Sequence, residues 1–527
     1  MDLLKRAWVA LTIAALILIP TATTGSAAQT ASFRPAFRLG NEVLFDRYLG
    51  LLEGRRVGLI TNQSGVNSLG QSTIEVFAED PRIQLVALYG PEHGIDGRAL
   101  AGVWVESYTH PTLHIPVYSL YGATRMPTAA MLQGVDVLVY DVQDIGARTY
   151  TYISTLNYAM KAAAQHGKPI VVLDRPNPLG GETVEAPVLE DRFKTFVGVD
   201  KLPMAHGMTA GELARFFNRE IGAALTVVPM EGYTRDMIWH DTGLPWVQTS
   251  PNIPCIDSVF GYMATGLGEG TGIYQSFQFK WIGGRGIDGV RFAELLNSAG
   301  LTGVLYVPET VGSAGGVRLV ITDYRTFNPA RSGLYALAFA KQLTDFKVPK
   351  SGTTQASIVM FDKIMGTDRV GVWLEQRLPP RAMELLWAAE LAAFRQQRQP
   401  YLIYGYAHRP GQVTIYVNRV PIFFDSEPYI NRDNRTMVPV RAIAESLGAE
   451  VSWDPSAQKV TLATYDTTLT LTIGSNIVRV NGTPHSMDTV AVIHNNRTMV
   501  PLRFVSQHLG AAVEWDAASR TVTVLQR

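Results

Sequence analysis

The segment LVALYGPEHGIDG, residues 85–97, sets a carboxylate, Glu92, beside an imidazole, His93, directly after an apolar run. Both are groups from which general acid–base catalysis is built. The arrangement recurs along the chain. Asn62, Gln63 and Ser64 follow VGLIT, Gln143, Asp144 and Arg148 follow VLVYD, and Arg175 and Asn177 follow VVLD. Ligands of an open parallel sheet bind beyond the carboxyl ends of its strands, so these residues would share one edge. Acids, amides and cations gathered there suit glycoside hydrolysis, in which a carboxylic acid protonates the leaving oxygen and a polar cage holds hydroxyl and acetamido groups. A plainer reading, with Glu92 capping the next turn and His93 packed inside, explains one strand end but not four.

Other chemistries fit poorly. GLGEGTG, residues 266–272, has the glycines of a dinucleotide loop but no apolar strand before it, and is expected to be a plain loop. HPTLH, from His110, carries two histidines four apart without the glutamate of a zinc-protease helix, and its Pro111 opposes a helix. Neither a G-x-S-x-G elbow nor a phosphate-binding lysine loop occurs, and no metal or other cofactor is expected. Lys and Arg number 46 against 46 Asp and Glu, which removes the bulk electrostatic attraction that would hold nucleic acid.

The elements that must position these residues are legible. At 527 residues the chain is expected to hold two or three domains. Residues 1–28, with Lys5 and Arg6 ahead of an apolar run and Ser26-Ala27-Ala28 at the end, read as a secretory signal peptide. That places the mature protein outside the cytoplasm, secreted or wall-associated, without a membrane span. The single Cys255 rules out an intramolecular disulfide and is expected to be a small buried residue. Over 35–231, the runs VGLIT, IQLVALYG, VDVLVYD, PIVVLD and LTVVPM alternate with the helical patterns STIEVFAED, YISTLNYAMKAAAQHG and TAGELARFFNREIG. This is the pattern of a Rossmann-like α/β domain with a parallel sheet. Residues 232–404 are expected to form an auxiliary α/β lobe, with strands near VLYVPE and VRLVITD and a long helix through AMELLWAAELAAFRQQR. A linker, 405–412, leads to 413–527, where NRTMVPVRAIAESLGAEVSWDPSAQKVTL returns as NRTMVPLRFVSQHLGAAVEWDAASRTVTV. Each copy reads as a strand, a helix closed by Gly448 or Gly510, and a hairpin turning at Asp454 or Asp516. Two copies make one compact α+β repeat domain rather than a solenoid.

The motifs GLITNQSGV, LYGPEHGIDG, PVYSLYG, DVLVYDVQDIGARTYTYISTLNYAM, VVLDRPNPLGG, HGMTAGELA, TGLPWVQTSPNIP and FDKIMGTDR, in this order between Phe37 and Tyr404, resemble those of the NamZ-type exo-β-N-acetylmuramidases. The resemblance implies a Rossmann-like domain and an auxiliary lobe that together remove N-acetylmuramic acid from the non-reducing ends of peptidoglycan fragments. It implies Glu92 as the catalytic acid with His93 and Asp144 beside it. It also implies substrate contacts from Asn62, Gln63, Gln143, Arg148, Tyr150, Arg175, Asn177, His206 and Asn252. One stretch departs from the family: EGTGIYQSFQFKWIGG, from Glu269, lacks the expected glycine- and arginine-rich continuation, which bears on substrate specificity. The substrate's lactyl carboxylate calls for a guanidinium, with Arg148 and Arg175 foremost and Arg285 third. Against this, Arg148 could instead pair internally with Asp144, four residues earlier. The repeat resembles the copper amine oxidase N-terminal-like, or stalk, domain. His485, His494 and His508 have no ligand spacing, so copper is not expected; the role is either attachment to the cell wall or a stabilising appendage. The competing function is a catalytically silent wall-binding protein.

Overall fold

The computed structural model describes residues 37–405 and 413–526, apart from 419, 423, 425, 496, 518 and 519. Residues 1–28, expected to be a signal peptide, and the expected linker beyond Gly405 lie outside the described residues.

Seven strands form the first sheet: β1 Arg56–Thr61, β2 Gln84–Gly90, β3 Tyr108–Thr109, β4 Pro116–Ser119, β5 Val137–Asp141, β6 Ile170–Leu173 and β7 Leu225–Val228, in the order β3-β4-β2-β1-β5-β6-β7. All neighbours are parallel except β3 and β4. β1, β2, β5, β6 and β7 are the five apolar runs of the sequence. Their near-continuous burial, complete along β5 and β6, is what a parallel sheet covered on both faces demands. β3 and β4 were not anticipated, because PVYS is short and only half buried, as suits a strand near the sheet edge.

The helices between the strands are α1 Gly40–Val43, α2 Thr73–Glu79, α3 Tyr152–Gln165 and α4 Ala210–Ile221. Local chemistry fixes their ends. Ser72 accepts from the Ile74 amide at the start of α2, Thr209 and Glu212 form a reciprocal cap on α4, and left-handed Gly222 closes it. Strand order reverses at β1: the chain runs outward through β2 to β4, then returns to place β5 on the other side. The crevice beyond the carboxyl ends of β1 and β5 is therefore a topological switch point.

The auxiliary lobe comprises an antiparallel sheet of β8 Tyr274–Ser276, β9 Trp281–Gly284, β10 Val304–Val311 and β11 Ala314–Ile321, in the order β10-β11-β9-β8. Helices α5 Ile256–Thr265, α6 Gly289–Asn297, α7 Pro329–Leu343, α8 Met360–Met365, α9 Arg369–Glu375 and α10 Pro380–Arg398 surround it. GLGEGTG is a loop between α5 and β8, as expected. One apolar cluster runs through both lobes, from Tyr140 and Leu156 to Phe292, Leu337 and Trp387. After α10 the chain returns to the first lobe, where the Tyr404 hydroxyl donates to Asp174, accepts from the Met230 amide, and its ring meets Tyr233 edge-on.

The repeat domain has its own apolar cluster. Its two copies pair through the NRTMVP strands: Met437, Val438 and Pro439 lie antiparallel to Pro501, Val500 and Met499. The helices Val440–Ser446 and Leu502–His508 end at left-handed Gly448 and Gly510, and the two hairpins turn after Asp454 and Asp516. A parallel pairing of Thr414–Val417 with Thr521–Gln526 ties the domain's first strand to its last. Of its histidines, His485 and His508 do approach, with ring centroids 5.5 Å apart.

Because the repeat domain has an apolar cluster separate from those of the two lobes, and Tyr404 packs with Leu39, Met230 and Tyr233 of the first lobe, a chain ending at Gly405 should still unfold cooperatively in urea. Tyr404→Phe in the same chain should lose about 1–3 kcal/mol, since it strips a donor from buried Asp174.

Candidate active site

The switch point is built from backbone-facing side chains that leave one polar atom each unused. Asn62 accepts through Oδ1 from the Ser64 amide and hydroxyl, and the Ser64 hydroxyl in turn accepts from the Gln143 amide at 3.0 Å, joining the β1 and β5 loops. Gln143 Nε2 donates to the carbonyls of Asp144 and Pro176, and Gln63 Nε2 to those of Gln248 and Thr249. Asn62 Nδ2, Gln63 Oε1 and Gln143 Oε1 are buried without a hydrogen-bond partner among the described residues. Buried polar atoms are normally satisfied, so these exceptions just past the ends of β1 and β5 are candidates for atoms that a ligand would complete.

Glu92 follows β2. One carboxylate oxygen accepts from the Thr151 hydroxyl at the start of α3, the other from the Gly102 amide at 2.8 Å. Burial first, and then the nearby Glu92 charge, push the Tyr121 phenol up to about 12. Glu92 does hold a turn, as the plainer reading had it, but the turn is that of the 99–103 loop. His93 has a left-handed backbone, φ 74°, and its Nδ1 donates to the Ala99 carbonyl at 2.6 Å, which leaves Nε2 as an acceptor.

Asp144 and His206 form the other half. The Gly146 amide donates to Asp144 Oδ2 at 2.7 Å, while Oδ1 has no partner among the described residues. Burial outweighs the Gly146 and Ile145 amides and pushes Asp144 up to about 7. His206, fully buried, accepts at Nδ1 from the Met208 amide, so its proton sits on Nε2, 4.0 Å from Asp144 Oδ2. Burial, then the charges of Arg398 and Arg148, lower His206 to about 3. The pair is therefore a neutral imidazole beside a carboxyl rather than a salt bridge, and 4.0 Å is too long for a hydrogen bond.

A tyrosine cluster joins the two halves. Tyr150 donates to the Thr249 hydroxyl at 2.9 Å and packs edge-on against Tyr152 and Tyr262, with centroids 4.8 and 5.8 Å away. Tyr262 comes from α5 in the auxiliary lobe. Burial first, and then the charges of both Glu92 and Asp144, push it up to about 12, so both carboxyls lie within electrostatic reach of one phenol. Phe279, in the stretch that departs from the family, packs on Tyr262 at 5.0 Å and so lies next to this cluster.

Three of the expected substrate contacts already hold partners within the protein. Arg148 is fully buried and donates to the carbonyls of Lys363 and Ile364 in the last turn of α8, where a cation also meets the negative end of the helix. No hydrogen bond joins it to Asp144, and its Nε has no partner among the described residues. Arg175 is bound to both oxygens of Asp141 and to the Val66 carbonyl. Asn177 donates to the Met208 carbonyl and accepts from the Leu179 amide, bracing the loop. Gly146 passes so close that a Cβ there would stand 2.3 Å from Asn177 Oδ1. Asn252 is exposed, and no hydrogen bond among the described residues draws it into the cluster. Thr151, Tyr121, Thr249 and Tyr262 were missed. The first three lie in or next to motifs already quoted, whereas Tyr262 carries no local signal.

The shift of Asp144 sets a sign for stability. Its folded value lies above its unfolded one, so between about pH 4 and 7 the folded state holds the extra proton, and stability from this group falls as pH rises through that window. Asp144→Asn keeps the acceptor for Gly146 without the charge. It should exceed the parent chain by about 1–3 kcal/mol at pH 8, with the advantage vanishing near pH 4, in urea titrations at the two pH values.

Comparison with known proteins assigns the chain to a family. The N-terminal model of the exo-β-N-acetylmuramidase NamZ family matches residues 57–257 and the C-terminal model 260–404, while a copper amine oxidase N-terminal domain matches 416–524. The peptidoglycan β-N-acetylmuramidase NamZ of Bacillus subtilis is 41% identical over 411 residues, 74% of this chain and 97% of that protein. Two crystal structures of DUF1343 family proteins from Bacteroides fragilis share the fold over 70% of this chain and 99% of theirs. Their TM-scores are 0.62 and 0.53, at 36% and 25% identity. The chain thus belongs to the exo-β-N-acetylmuramidase NamZ family, is a glycosidase, and carries a copper amine oxidase N-terminal domain behind its catalytic lobes.

Proposed function

We propose that this glycosidase removes N-acetylmuramic acid from the non-reducing ends of peptidoglycan fragments outside the cytoplasm, with Glu92 as general acid. The observation that carries the reading is the set of unpartnered polar atoms on Asn62, Gln63, Gln143, Asp144 and His206 at one strand-end cleft, beside Glu92. An amide donor, two amide acceptors, a carboxyl oxygen and an imidazole N–H complement the hydroxyl and acetamido groups of one amino sugar. The acid protonates the glycosidic oxygen as the bond to the anomeric carbon breaks, and water completes hydrolysis.

A second assignment, Asp144 as the proton donor, is favoured by its value of about 7, since such a carboxyl still holds a proton near neutrality. Leaving groups separate the two. A nitrophenyl muramic acid glycoside departs without a proton, whereas a muramic acid–N-acetylglucosamine disaccharide does not. Glu92→Gln should lose about 10²- to 10⁴-fold on the disaccharide and far less on the nitrophenyl glycoside. The same split in Asp144→Asn, with Glu92→Gln active on both, would transfer the role to Asp144. Binding to wall sacculi by the parent chain without release of muramic acid would instead support the silent wall-binding protein. Export through residues 1–28 and wall attachment through the repeat domain complete the proposal. The attachment is tested by comparing sacculus binding of the full chain and of one ending at Gly405.

A further inference from the structure

The loop that holds Glu92 carries an apolar surface that the reaction, as described so far, does not use. Leu100, Val103 and Trp104 are 64%, 47% and 57% exposed, three large apolar side chains within five residues. Exposed apolar clusters of this kind mark contact surfaces. This one is fastened to the site. The Ala99 carbonyl accepts from His93 Nδ1, the Gly102 amide donates to Glu92, and the Val105 amide donates to the carbonyl of Tyr121, whose phenol feels the charge of the same carboxylate. A turn from Leu100 to Val103 and left-handed Gly102 give the tip its shape.

Position decides the occupant. The unpartnered polar atoms at the strand ends are buried, as a pocket for the sugar being released requires, and Glu92, 8% exposed, is hydrogen-bonded to the Gly102 amide of the exposed turn itself. Whatever continues past the scissile oxygen, away from that pocket, meets the surface beside Glu92. In a peptidoglycan strand this is the N-acetylglucosamine of the leaving group, whose C–H face is apolar and packs on aromatic rings.

We infer that the Leu100–Trp104 tip is the leaving-group subsite, with the Trp104 indole as the platform on which the departing N-acetylglucosamine stacks while the Gly102 amide of the same turn holds the proton donor in register. The inference rests on the proposed function, since it takes Glu92 to stand at the scissile oxygen.

The test compares the full chain with Trp104→Ala and Trp104→Phe on two substrates: the muramic acid–N-acetylglucosamine disaccharide, and muramic acid fluoride, whose leaving group is too small to reach the loop. Trp104→Ala should lower kcat/KM on the disaccharide about tenfold, through KM, leave the fluoride unchanged, and be largely rescued by Trp104→Phe. Unchanged disaccharide kinetics would overturn the inference, and so would equal losses on both substrates, which would mean that the loop only holds Glu92. Failure of the parent chain to turn over either substrate would sink the proposed function itself, and the subsite with it.

Discussion

The cleft depends on an ion pair removed from water. Asp141, at the end of β5, is wholly buried and accepts from Nε and Nη2 along one edge of the Arg175 guanidinium, from the Thr73 hydroxyl at 2.6 Å, and from Asn41 Nδ2 at 3.3 Å. Arg175, just past β6, also holds the Val66 carbonyl. One charge pair thus fastens the ends of β5 and β6, the start of α2, helix α1 and the loop after β1. Removing one partner of such a pair strands a buried charge, at a cost of about 3–5 kcal/mol. Asp174 does the same one strand along, accepting from Thr209, the Gly211 and Arg175 amides and Tyr404.

With these ends fixed, the cleft can keep polar atoms unsatisfied. An amide or carboxyl held in a dry site without a partner would otherwise rotate or draw the loop toward one. Burial acts on both members of the Asp144–His206 pair, raising the acid and depressing the base, so both are driven toward their neutral forms. Such a site can hold the hydroxyl and acetamido groups of a sugar by hydrogen bonds without competing charges at that end of the cleft, while Glu92 keeps its own hydroxyl and amide contacts.

The auxiliary lobe belongs to the same machine. It contributes Tyr262 to the aromatic cluster and the α8 carbonyls to Arg148, and its core is continuous with that of the first lobe. The repeat domain differs: its strands pair within themselves and its apolar cluster is separate. A stalk that folds on its own can be joined to an enzyme without altering the catalytic cleft.

The five apolar parallel strands, the polar strand ends, and the paired repeat with its two glycine-closed helices were all legible in the sequence. Each rests on periodicity or on a contact a few residues away, and such contacts are written in the order of the chain. The burden each polar residue carries was not. Arg148 and Arg175 stand in motifs as conspicuous as that of Glu92, yet one is bound to α8, more than two hundred residues later, and the other to Asp141 across the sheet. The proximity of His206 to Asp144, the reach of Tyr262, and the fastening of Glu92 to Gly102 likewise depend on partners that no spacing announces. Sequence determined which groups arrive at the strand ends. Only tertiary structure decided which of them remain available to a substrate, because a buried polar atom takes whichever partner the packing brings within hydrogen-bond distance.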